Sequence, residues 1–156
     1  MSAELFRQAW SNFATGVCLV NTLEANGKIH GMTANGVASI SLDPMLVMVS
    51  VAHNANTYPI MKKTQKYVIN ILSESHKHIA MEYAKKIKPD ELEFEDQYFF
   101  TSSGMPFLKE SLASMECDVV NMHEEGDHTI FIGAVKDIVV NDGEPLLFFK
   151  GDWAKF

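Results

Sequence analysis

The chain has 156 residues and a mass of 17.5 kDa, which leaves room for one domain, expected to run over residues 1–156. With 47% hydrophobic and 21% charged residues it has the balance of a soluble globular protein. Thirteen Lys and Arg against 20 Asp and Glu give a net charge of -7, and no basic cluster is present to follow a phosphate backbone, so nucleic acid is not an expected partner.

The N-terminus, MSAELFRQAW, is amphipathic rather than basic and then apolar, so it lacks the order of a signal peptide, and a cytoplasmic location is expected. Leu5, Phe6, Ala9, Trp10 and Phe13 form one apolar helical stripe, with Ser2 placed to cap the helix and Gly16 to end it. From Val17 the pattern becomes that of a strand leading to Asn26-Gly27, a type I′ hairpin signal. Cys18 and Cys117 are the only cysteines, with no CxxC spacing, and read as buried small hydrophobes.

Gly31 and Gly36 interrupt the strand-like stretch Ile29–Leu42, as happens at bulges or where a ligand approaches the backbone. Asp43-Pro44 breaks the chain before Met45–Ala52, an apolar run that suits a strand buried on both faces and is far short of the roughly 20 residues a membrane helix needs. Asn56 or Thr57 as N-cap, with Pro59 in the first turn, predicts a short helix whose N-terminus faces the end of that strand. Tyr67–Leu72 predicts another strand, and Ile79, Ala80, Tyr83, Ala84 and Ile87 another helical stripe.

Beyond Pro89, DELEFED reads as a solvated loop or helix end. Met115–Met122 and Thr129–Val140 predict two strands joined across Glu125-Gly126-Asp127, and Asp142-Gly143 turns the chain into a last strand, Pro145–Phe149. About seven strands and three helices result. Hairpin turns rather than regularly spaced helices join the strands, so the pattern favours a small antiparallel barrel with peripheral helices over a doubly wound parallel sheet.

The familiar anchors of catalysis are missing: no GxSxG, no GxxxxGK[ST], no GxGxxG and no HExxH. His76 and His78, two apart, would point to different faces of a helix, and no metal site is expected. Three segments are polar beyond what a core strand or turn requires: Thr33-Ala34-Asn35, Asn54–Thr57 and Gly126–Thr129. Each could merely satisfy a bulge, a helix cap or a turn. Together they offer small donors, glycine-opened backbone and a helix N-terminus, the equipment for holding a planar heterocycle with a phosphate tail. Donors without a nucleophile or a metal point to a cofactor that carries the reaction, with no catalytic side chain.

Six segments in register carry a resemblance: FATGV (13–17), GMTANG (31–36), SISLDP (39–44), YVINILS (67–73), GDHTIFIG (126–133) and PLLFFKGDW (145–153). Together they resemble the short-chain flavin reductase family, and most nearly the reductase components of two-component phenol and 4-hydroxyphenylacetate monooxygenases. The resemblance implies a mostly β protein, an FMN-binding split β-barrel (a Greek-key antiparallel barrel with peripheral helices), as a homodimer. It implies hydride transfer from NADH or NADPH to FMN or FAD, with reduced flavin passed to a separate oxygenase. It places Thr33, Ala34, Asn35 and Ser39 around the isoalloxazine and ribityl chain, and adds the backbone of Ser50 and Val51. Asn56 and Thr57 fall at the flavin phosphate, and His128, Gly151 and Trp153 on the nicotinamide side. Asn54 and Asn56 stand where family members often carry Ser or Lys, and Gly36 where a bulkier residue is common.

Two other readings stay open. The barrel could keep FMN as a fixed group and carry electrons from a protein partner, as a flavoredoxin-like protein, or it could store flavin without catalysis. A vitamin-B6 activity is conceivable for a barrel of this kind, but the GDHT segment favours the reductase branch.

Overall fold

In the computed structural model, which describes residues 1–86 and 91–156, helix α1 (Ala3–Ser11) starts as its sequence predicts: the Leu5 N–H donates to Ser2 Oγ at 3.1 Å. It ends at Asn12, four residues before Gly16, where the Asn12 side chain takes over carbonyls of the last turn. Its apolar stripe is not buried in the chain: Leu5, Phe6, Trp10 and Phe13 are each more than half exposed. Phe6, Trp10 and Phe13 pack edge to face against one another instead.

Strands β1 (Thr15–Gly16), β2 (Cys18–Leu23) and β3 (Ile29–Ala34) follow. The β2–β3 hairpin forms, but the loop has three residues rather than two. Glu24 N–H donates to the Lys28 carbonyl and Gly27 N–H to the Glu24 carbonyl, with Gly27 at φ 88°. Asn26 keeps a negative φ, so the turn is a type I turn closed by a glycine bulge and not the expected type I′.

β4 (Val37–Leu42) and β5 (Met45–Ala52) pair next, then helix α2 (Thr57–Thr64), β6 (Lys66–Ile71), helix α3 (Lys77–Tyr83), and a short hairpin, β7 (Tyr98–Phe100) with β8 (Pro106–Leu108), that the sequence pattern did not predict. The acidic stretch 91–97 is a 3-10 helix that buries Phe94, so it is anchored rather than fully solvated; Ile87, Pro89 and Asp90 lie outside the described residues. β9 (Ala113–Glu125) and β10 (His128–Val140) form a long hairpin turned at Gly126, φ 63°. In place of one last strand there are two, β11 (Leu147–Phe149) and β12 (Asp152–Ala154).

Seven strands form one antiparallel sheet in the order β3-β2-β6-β9-β10-β5-β4. Its terminal strands, β3 and β4, are consecutive in the chain and joined by Asn35-Gly36, so the sheet curls until its two edges meet at that corner without pairing. At β2 both faces of the sheet are covered, so its burial shows no alternation. Val20 joins the inner cluster with Val49, Val51, Met61, Tyr67 and Phe131, whereas Leu19 joins the outer one with Ile79, Tyr83 and Leu108. β5 behaves differently from its expected two-sided burial: Val47, Val49 and Val51 point inward, and Met48, Ser50 and Ala52 remain half-buried on the outer face. Both cysteines are free and buried, and burial pushes each thiol up to about 12.

Asn70 ties the outer cluster together. Its amide donates to the Leu19 carbonyl and to Asn21 Oδ1, and its Oδ1 accepts from Leu108 N–H and Ser114 Oγ, so this one buried side chain links β2, β6, β8 and β9 with every contact between 2.8 and 3.1 Å.

Candidate functional site

The corner where β3 leaves the sheet opens a cavity of about 180 Å³, lined by Val17, Thr33, Ala34, Asn35, Ala84, Phe148 and Trp153. One wall is therefore the polar segment Thr33–Asn35. Because β3 is a terminal strand paired only with β2, alternate backbone N–H and C=O groups of this segment point away from the sheet without a ladder partner. The Thr33 hydroxyl donates to the Ala80 carbonyl at 2.6 Å, which docks α3 on the strand, and Asn35 Nδ2 reaches Thr15 Oγ1 at 3.4 Å.

The facing wall is aromatic. Phe148 and Trp153 are cross-strand partners in the β11–β12 hairpin, with rings 5.3 Å apart and 67° between their planes. The two-residue turn between them has Lys150 at φ 52° and Gly151 at φ 81°, the paired left-handed geometry of a type I′ turn. Gly151 thus serves the turn that presents Trp153; a Cβ there would meet nothing within 4 Å. The Lys150 N–H donates to the Ser11 carbonyl and fixes the hairpin to the end of α1. Val17, Ala84 and Phe148 are site residues that the sequence shows only as apolar positions of a strand, a helix and a strand, since an aliphatic or aromatic side chain carries no local mark of a site.

Beyond this cavity the chain runs on through β4 and β5 along the sheet. Gly36 is the next residue, and its carbonyl accepts the Ser50 N–H at 2.9 Å. Ser50 lies opposite Ile130, and two residues further along the ladder, roughly 7 Å at strand spacing, Ala52 lies opposite His128. The Val51 side chain is buried in the inner cluster, so only its backbone is left to serve a ligand. Ser39 is exposed on β4 opposite Val47.

Past Ala52 the chain turns through His53–Asn56 into α2. His53 is held by both backbone and ring: its N–H donates to the Asp127 carbonyl, and Nε2 lies 2.9 Å from Thr129 Oγ1. Asn56 occupies the N-cap position with no side-chain cap bond and is exposed. Thr57 is buried, and its hydroxyl donates to Met32 Sδ at 3.1 Å, away from solvent. The Tyr58 N–H goes to the Ala55 carbonyl and Pro59 has none. The helix start therefore offers an anion the Thr57 N–H and the Asn56 amide rather than a full set of donors.

His128, less than half exposed, sits at the turn end of β10 with Nδ1 2.7 Å from Asp127 Oδ1. The hydrogen bond and charge of His128 hold the exposed Asp127 carboxyl below its usual range. The structure thus brings Thr33, Ala34, Asn35 and Trp153 around one cavity, whereas Ser39, Ser50, Asn56, Thr57 and His128 lie outside its lining, on β4, β5, α2 and β10. Among the described residues no cluster of metal-ligating side chains occurs.

Residues 10–155 match the family described as "Flavin reductase like domain". The chain is a member of that flavin reductase family. Its similarity to family members extends over nearly its whole length: it is 36% identical over 150 residues to an NADH-dependent flavin reductase of Rhodococcus sp, covering 94% of this chain and 82% of that protein. It is 34% identical over 147 residues to the NADH-dependent flavin reductase StyB of Pseudomonas fluorescens, covering 92% and 84%. Among solved structures, flavin reductase PheA2 in its native state superimposes with a TM-score of 0.91 at 42% identity, covering 100% of this chain and 99% of that one. The mostly β antiparallel architecture is that of these split-barrel reductases.

Proposed function

We propose that this chain, acting as one domain over residues 1–156, is an NAD(P)H-dependent flavin reductase that reduces FMN or FAD for a separate monooxygenase. The observation that carries the reading is the cavity itself: an aromatic and aliphatic slot with a free strand edge along one side and neutral donors only. A planar ring system with a polar edge fits such a slot, and its phosphate tail can follow the sheet toward α2. When bound, the flavin supplies the hydride acceptor.

The chain's own residues position and polarise. Backbone N–H groups near Thr33–Asn35 lie where they can stabilise negative charge on the ring's carbonyl edge. Ser39 and the Ser50 and Val51 backbone flank the ribityl chain, and the Asn56 amide with the Thr57 N–H meets the phosphate. Trp153, presented by Gly151, closes the slot on the nicotinamide side and excludes water, while His128, fixed by Asp127, donates to the dinucleotide. Hydride transfer requires no general base, in keeping with a site built of donors.

A homodimer belongs to the same reading, supported by the exposed stripe of α1 and by exposed apolar residues on β4, β9 and β10, among them Ile40, Leu42, Val120 and Val140. A cytoplasmic setting is supported by the two free thiols. The decisive experiment is anaerobic mixing with NADH or NADPH in the presence of FMN or FAD. Bleaching of the flavin band is expected; retained flavin that NADH and NADPH leave oxidised would instead mark an electron carrier served by a protein.

A further inference from the structure

Trp153 belongs to two cavities. Beyond the slot described above, its other side opens on a larger one of about 410 Å³, bounded by Glu74, Ser75 and Lys77 ahead of and at the start of α3, and by Ala154 and Lys155 behind the β11–β12 hairpin. The two spaces differ in chemistry. The slot lined by Thr33–Asn35 has no charged side chain, whereas this one carries two ammonium groups and a hydroxyl against a single carboxylate.

Both lysines are exposed. Among the described residues, lysine ion pairs involve Lys62, Lys66, Lys85 and Lys136, so Lys77 and Lys155 are not committed to a carboxylate. On a chain of net charge -7, a pair of uncommitted cations at one opening is a local feature that favours an anion there. The Ser75 hydroxyl, 2.8 Å from Ser73 Oγ, adds a neutral group on the same rim.

An aromatic slot joined through one indole to a cationic chamber has the layout of a dinucleotide: a heterocycle, then a sugar, then a pyrophosphate with a second nucleoside. We propose that the chamber behind Trp153 takes the ADP half of a dinucleotide whose reactive ring lies in the slot, with Lys77 and Lys155 binding its pyrophosphate. The proposal rests on the flavin-reductase reading of the slot. The dinucleotide is the nicotinamide one, because the flavin's own phosphate is met at the start of α2.

Wild-type protein and a Lys77→Ala/Lys155→Ala variant are titrated calorimetrically with FMN and with FAD, and, when saturated with FMN, with NAD+ and with nicotinamide mononucleotide. The variant should bind NAD+ about tenfold more weakly, the scale of a partly exposed charge-assisted contact, the loss should shrink with added salt, and FAD should bind both proteins equally. A loss confined to FAD overturns the assignment to the nicotinamide dinucleotide. FMN and nicotinamide mononucleotide should bind both proteins equally, and Lys77→Arg/Lys155→Arg should retain affinity. Unchanged affinity for NAD+, or equal losses for mononucleotides and dinucleotides, overturns the subsite. Wild-type protein that binds no FMN overturns the underlying reading instead.

Discussion

Replacing Gly31 by Ala tests whether the packing of α3 shapes the slot. A Cβ built at Gly31 lies 2.8 Å from Cδ1 and Cε1 of Tyr83 and 2.9 Å from Asn21 Nδ2. Ordinary contact begins near 3.4 Å, so the Tyr83 ring must retreat. It has little freedom to do so, being buried at the end of α3 with the Phe94 ring 5.8 Å away, while Thr33 bonds the same helix to the same strand. Overpacking of this kind costs about 1–3 kcal/mol, more than the roughly 0.4–1 kcal/mol gained by restricting the unfolded chain. Gly36 is the control: there a Cβ meets only Ser50, its nearest atom at 3.4 Å, so Gly36→Ala should be neutral or slightly stabilising. Urea unfolding followed by tryptophan fluorescence should separate the two variants by about 1–2 kcal/mol. Because Ala84 follows Tyr83 and lines the slot, Gly31→Ala should also bind flavin more weakly than wild type. Coincident unfolding midpoints for the two variants, or full flavin affinity in a destabilised Gly31→Ala protein, would refute the reasoning.

Sedimentation should show a species of twice the 17.5 kDa chain mass at micromolar concentration, and a stable monomer would reject the dimer. Asn56→Ala should weaken FMN and FAD more than riboflavin, by roughly 1.5–3 kcal/mol for a bond to a charged group; equal losses for all three flavins would move the phosphate elsewhere. His128→Ala should lower kcat/KM for NADH by up to about tenfold, one hydrogen bond's worth, and unchanged NADH kinetics would remove His128 from the nicotinamide site. His76 is buried, donates from Nε2 to the Lys109 carbonyl and accepts at Nδ1 from Ser73. Burial, partly offset by the Lys109 carbonyl and Glu110, holds its imidazole below the ordinary value. The unfolded chain then binds the proton first, so stability should fall as pH drops below about 6.5. His76→Asn should flatten that slope in urea titrations, and an unaltered slope would exclude His76 as its source.

Much of this architecture was legible in order along the chain. Ser2, the Gly27 turn and the β9–β10 hairpin sit where local chemistry puts them, because caps and tight turns are decided by neighbours in sequence. The errors arise where distant contacts decide. Phe94 reads as part of a polar stretch until the outer cluster buries it, and Tyr98–Phe100 forms a strand only because Pro106–Leu108 returns beside it. The site shows the same division. Thr33–Asn35 and Trp153 could be named from motifs, but that they face each other across one slot depends on the register of β1, β2 and β11. The inward turn of the Thr57 hydroxyl depends on Met32 standing beneath it, which no local pattern of α2 reveals.

The Asn70 knot has a bearing on how this protein could be redesigned. A slip of β2 by two residues along β6 would preserve which side chains face each cluster, yet it would carry Val17 roughly 7 Å out of place. Aliphatic packing alone penalises such a slip weakly, since Leu, Ile and Val substitute for one another. Asn70 does not tolerate it, because the Leu19 carbonyl and Asn21 Oδ1 would leave its amide together while Leu108 and Ser114, on β8 and β9, still hold its Oδ1 in place. Libraries that vary Val17, Ala84 or Phe148 to admit other heterocycles can therefore be broad, provided this asparagine and its four correspondents are left untouched.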